Sequence, residues 1–125
     1  MSIKVADNIP TERFGEFINN DESRKEIEQI MSGYCFSVDS IIGRLQVIMF
    51  ANGIDRDTMN IITTNNLKNY ITTLTPFNLM KMFLEKMIEI KCPVEWFIQA
   101  LKDAMCISLL EKIENSNAYM HLYYY

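Results

Sequence analysis

His121 is the only histidine in the chain. It lies close to the last residue of the sequence, so a Ser–His or Cys–His couple would have to be built there. A satisfied or exposed histidine is the simpler reading. The three cysteines, Cys35, Cys92 and Cys106, are widely spaced, with no C-x-x-C pair and no histidine cluster. That pattern argues against a structural zinc site and a disulfide framework, and it points to free thiols in a reducing compartment. No glycine-rich phosphate loop, H-E-x-x-H helix or EF-hand loop occurs. Lys81, Lys86 and Lys91 recur every fifth residue, so successive ones are rotated by about 140° on a helix and make no single phosphate patch. Most carboxylates belong on solvated helix faces. No enzymatic activity, metal or cofactor is expected.

The elements that would have to position these residues are helical. The chain has 125 residues, 49% hydrophobic and 22% charged, with only four glycines and three prolines. This profile fits one globular domain with enough apolar material for one core. The net charge of −4 supplies no basic footprint for a nucleic acid or an anionic membrane surface. MSIKVADNIPTERF lacks the apolar run of a signal peptide, and no apolar stretch reaches the length of a membrane span. A cytoplasmic location follows as an expectation.

Strand-like alternation is weak, and an all-α domain is predicted. Phe14, Phe17 and Ile18 mark a first helical turn, interrupted at Asn19-Asn20-Asp21. Ser23-x-x-Glu26 reads as a capping box for the next helix, whose stripe is Ile27, Ile30, Met31 and Tyr34. After the connector Cys35-Phe36-Ser37, with Ser37 or Asp39 as cap, Ile41, Ile42, Leu45, Ile48 and Met49 form another stripe, closed by Gly53. Asp55 or Asp57 opens a helix carrying Met59 and Ile62. Thr63 to Thr75 is rich in Thr and Asn and gives the weakest signal. Thr75-Pro76 starts a further helix, with Leu79, Met82, Phe83, Met87 and Ile90, and Cys92-Pro93 ends it. Val94, Phe97, Ile98, Leu101 and Met105, then Leu109, Leu110 and Ile113, mark the last two helices. Three stretches are expected: a partly helical segment over 1–20, a bundle over 21–116, and a tail or linker to a following domain over 117–125.

The stretch "VEWFIQALKDAMCISLLEKIE", Val94 to Glu114, resembles the last two helices of caspase-recruitment domains (CARDs), members of the death-fold superfamily. The likeness is greatest to the CARDs of RIG-I-like and Dicer-related RNA helicases. Phe97, Ile98, Ala100 and Leu101 match the first helix of that pair, and Leu109, Ile113 and Glu114 the second. "FLEKMIEI" from Phe83 looks like the preceding helix, and "GYCFSVDSII" from Gly33 like the junction of the first two. The resemblance covers roughly Glu22 to Ser116. It departs from the family at Pro93, where a Trp is usual, at Met105, where a Gly is usual, and in a longer Thr63–Thr75 region.

The resemblance implies a six-helix antiparallel bundle of death-fold (CARD-like) type that works by binding rather than by chemistry. It would serve an RNA-sensing or RNA-silencing helicase or an innate-immune signalling protein. Its partner would be another CARD-like domain or an adaptor, with homo-oligomerisation open and no direct nucleic-acid contact. Such domains associate through complementary charged faces, here Arg24, Lys25 and Lys81 against Asp55 and Asp57 of the partner. Two alternatives stand beside it. One is a Bcl-2-like bundle that antagonises host signalling by taking a partner helix in an apolar groove lined by Met80, Met82 and Met87. The other is a helical RNA-binding module.

Overall fold

The computed structural model describes residues 13–34, 37–61 and 76–124. These residues form eight helices and no strand: α1 (Phe14–Phe17), α2 (Asp21–Ser32), α3 (Val38–Ala51), α4 (Arg56–Ile61), α5 (Pro76–Glu89), α6 (Val94–Asp103), α7 (Ile107–Glu114) and α8 (Asn117–Tyr124). The all-helical bundle expected from the sequence is present. Six of the eight helices fall within 21–116, and α1 and α8 flank them. The Cys35-Phe36 connector, Ile62, and the Thr63–Thr75 stretch lie outside the described residues.

Helix α2 starts where the Asn19-Asn20-Asp21 break was expected, but its cap is Asn20. The Asn20 Oδ1 accepts the Ser23 N–H at 2.8 Å, and Asp21 and Glu22 occupy the first turn, at the positive end of the helix dipole. The expected Ser23–Glu26 box does not form, because Glu26 is engaged elsewhere. Helix α3 follows Ser37, which makes no side-chain capping bond. Helix α5 begins at Pro76, as the sequence predicts.

Three helices end in the same way. Gly53, Lys91 and Met105 stand in the left-handed region, with φ of 77°, 55° and 61°. In each case the next residue reaches back five positions: Ile54 N–H to Met49 O, Cys92 N–H to Met87 O, and Cys106 N–H to Leu101 O. This is the Schellman closure, which satisfies carbonyls that the helix end would otherwise leave unpaired. Only Gly53 fills the left-handed position without a Cβ penalty.

The principal pairings are α3 on α6 and α2 on α5, with α8 and α7 also packed on α2. Ile41, Ile42, Leu45 and Met49 of α3 are fully buried, as are Val94, Phe97, Ala100 and Leu101 of α6. Aromatic edges knit the centre: Phe14 meets Phe97 at 5.1 Å and Phe17 at 5.6 Å, and Phe17 meets Tyr119 at 6.4 Å. The Phe14 N–H donates to Cys92 O at 3.1 Å, and Arg13 donates to Lys91 O at 3.2 Å, which fixes α1 against the end of α5. Phe14, Phe17 and Ile18 therefore share the core with the bundle, and Ala118 joins it from α8. The core extends past both limits, 21 and 116, that the sequence suggested. In place of a tail or linker, 117–124 is a docked helix. Among the described residues one buried side-chain polar atom has no hydrogen-bond partner, Oε1 of Glu28 on α2. Among the described residues no helix is long and apolar enough to cross a membrane.

Candidate functional site

Helix α3 is apolar on two sides. Ile41, Ile42, Leu45 and Met49 point into the core. Val47 and Phe50, on the same helix, are 65% and 77% exposed. Ser40, Gly43, Val47 and Phe50 follow one another at spacings of three, four and three, so they form a second stripe along the outer side. A helix that is apolar all round normally lies buried, so an exposed second stripe is the unusual feature. Gly43 lies inside the helix, where glycine costs about 1 kcal/mol relative to alanine. A Cβ added there would meet nothing within 4 Å, so no contact inside the described bundle requires the small residue.

Met105, at the junction of α6 and α7, borders this face. Met105 is 79% exposed and Ile107 is 50% exposed. Between α3 and the junction runs a shallow groove of about 410 Å³, walled by Gly43, Arg44, Val47, Asp103 and Met105. Its two charged walls have opposite sign. Among the described residues Arg44 makes no ion pair, while Asp103 accepts a hydrogen bond from Gln99 Nε2 at 2.8 Å. The groove is thus an apolar floor with one cation and one anion at its edge. It is suited to taking up an apolar side chain from another protein surface.

The charged residues expected at a partner contact are distributed differently. Lys25 is exposed on α2, Arg24 is half-buried beside it, and Lys81 is exposed on α5. Because α2 and α5 pack together, these three lie on neighbouring helices. Asp57 is exposed on α4. Asp55 is half-buried and serves as the cap of α4, with Oδ1 accepting the Thr58 hydroxyl at 2.6 Å and Oδ2 the Thr58 N–H at 3.2 Å. The hydroxyl bond from Thr58 is the main reason that the Asp55 carboxyl is held below its usual pKa.

A second, polar groove of about 490 Å³ lies between α2 and α8, lined by Lys25, Glu26, Asn117 and His121 among others. Its centre is Glu26, whose two oxygens accept the N–H groups of Asn117 at 2.9 Å and Ala118 at 2.8 Å. The chain's own carboxylate therefore fills the anion-binding end of α8. His121 is exposed at this groove. At the other end of α2, Tyr34 Oη and Ser108 Oγ are 2.8 Å apart, and the Lys112 ammonium lies 5.2 Å from the ring centroid. The Ser108 bond, then Lys112, lower the pKa of this phenol.

Met80 and Met87 are fully buried and Met82 is half-buried. Met80 and Met87 pack as core residues and do not line an open groove. Cys92 is buried, and desolvation pushes its thiol pKa far up, while Cys106 is half-buried. Among the described residues no group of three or more His, Cys, Asp or Glu is placed to hold a metal ion.

No family model matches the chain, and no curated protein or solved structure matches it. Sequence reasoning did not single out Val47, Phe50 or Ile107, and it placed Met105 in the stripe of α6, whereas Met105 stands exposed just past the end of that helix. The signal for the first two was present: they are the apolar residues of α3 left over once its core stripe is assigned.

Proposed function

We propose that this chain is a protein–protein interaction module of CARD-like type. In this reading it couples an RNA-sensing or RNA-silencing helicase, or an innate-immune signalling protein, to other proteins. The observation that carries a binding role is the exposed apolar pair of Val47 and Met105 on one groove, with Phe50 exposed one turn along α3 from Val47. An apolar patch of this kind on a small bundle marks a contact site. The CARD-like part of the reading rests on the residue order from Val94 to Glu114. It is supported by the six helices among the described residues of 21–116 and by the chain break at Met105, where the family carries glycine.

The test is capture of purified death-fold domains by the immobilised chain, with Phe50→Asp as the variant. Phe50 is largely exposed, so the helical circular dichroism should not change while capture is lost. Capture that ignores Phe50, or no capture of any such domain, refutes the proposal. Asp57→Arg probes the charged contact cleanly. Reversing Asp55 as well would remove the cap of α4 and confuse folding with binding.

The Bcl-2-like alternative has less support, because Met80 and Met87 are buried and do not line the groove expected of them. No described helix is buried on all sides, as that fold's central helix would be. Titration with double-stranded RNA across salt addresses the third reading. Tight, salt-steep binding would replace the proposal with an RNA-binding module.

A further inference from the structure

We infer that the occupant of the α3 face is a second copy of this chain, placed by a two-fold axis. This deepens the binding-module reading and rests on it. The charges on the groove select the occupant. Arg44 and Asp103 wall the same groove, and both are exposed. A partner of one sign would satisfy one of them and repel the other. A two-fold copy meets Arg44 with Asp103 and Asp103 with Arg44, because in an isologous interface every contact occurs twice.

The shape and size of the face fit the same occupant. Ser40 and Gly43 are small and exposed at the near end of the stripe, and a Cβ added at Gly43 would point into open space. Two α3 helices can therefore approach closely there, while Val47 and Phe50 of each copy cover the other's groove. The spacing of Ser40, Gly43, Val47 and Phe50 is the three–four alternation of a helix–helix seam. Val47, Phe50 and Met105 together expose on the order of 400 Å². Two such patches, face to face, cover about 800 Å², and the charged rim of Arg44 and Asp103 carries the contact to about the 1,000 Å² of a specific interface.

Sedimentation equilibrium of the full chain tests this. The wild-type chain is expected to dimerise reversibly. Arg44→Glu and Asp103→Arg should each weaken the dimer by about tenfold or more. The combined Arg44→Glu, Asp103→Arg chain should recover to within about threefold of wild type, because the swapped charges pair again across the axis. Val47→Asp should dissociate the dimer whatever the charges do. Circular dichroism of each variant should match wild type, since all three side chains are exposed. A wild-type chain that stays monomeric up to about 0.5 mM overturns the inference. So does a double variant no better than the single ones. If the chain is monomeric while a death-fold domain is still captured through Phe50, the second copy is wrong and the binding module stands.

Discussion

Replacing Met105 by glycine should leave the protein about as stable as it is, although it removes a large apolar side chain, because relief of backbone strain offsets the loss. Met105 has φ of 61°. An L-residue in that region costs about 1–2 kcal/mol, because its Cβ crowds the carbonyl oxygen. Glycine escapes this but gives up about 0.5–1 kcal/mol of backbone entropy on folding. The side chain itself is 79% exposed, so deleting it forfeits only about 0.5 kcal/mol of burial. The clean comparison is therefore with Met105→Ala, which loses the same side chain and keeps the strain. Glycine should exceed alanine by about 1 kcal/mol, or about 3–6 °C in Tm for a chain of this size. Urea unfolding followed at 222 nm, at about 1 μM protein so that copies are apart, measures it. Equal stability of the two variants, or alanine the more stable, would refute the account of the α6–α7 junction as a strained Schellman closure.

Four further outcomes are expected. Glu26→Ala removes both acceptors at the start of α8 and should cost about 1–2 kcal/mol, with faster hydrogen exchange confined at first to α8; unchanged exchange there counts against the cap. Glu28→Gln neutralises a carboxylate with one buried, unpartnered oxygen, and should be neutral or stabilising by about 1 kcal/mol; a large loss would reveal a partner for that oxygen. The Asp55 carboxyl has its folded pKa lowered, chiefly by Thr58. Its contribution to stability is present above the unfolded value of about 3.9 and is lost as pH falls through the lower folded value. Asp55→Asn should therefore flatten the acid limb of stability below about pH 4, and an unaltered acid limb contradicts the cap. A thiol reagent at neutral pH should modify Cys106 well before Cys92, whose thiol is buried and protonated; mass mapping that finds Cys92 modified first would show that α5 and α6 part easily.

What the sequence made legible was local. Pro76 and Gly53 mark a helix start and a helix end because their backbone constraints act wherever they stand. Phe14, Phe17 and the α6 stripe from Val94 to Leu101 were legible because helical spacing and burial agree there, while Met105, at the end of the same spacing, is exposed. Asn20 was overlooked as a cap because Ser23 and Glu26 make the stronger short-range pattern. That pattern failed because Glu26 is drawn to backbone groups about ninety residues away, beyond any local signal. The left-handed Met105 was not legible as such, because methionine has no preference for that region and only the tertiary fold imposes it. The outer face of α3 went unread because one helical stripe was enough to explain the helix as a core element.

The bond between Glu26 and α8 also sets a timetable. Ninety-one residues separate Glu26 from the Asn117 N–H that it accepts. At about 5–20 residues per second of synthesis, helix α2 waits roughly 5–18 s for its last neighbour to be made. During that interval the surface of α2 that will receive α8 is open, and α5, which also packs on α2, is made first. Until then the Glu26 carboxylate and the Phe17 ring, which Tyr119 meets in the finished fold, lack their α8 partners, the state in which a chaperone or a neighbouring nascent copy has its best access.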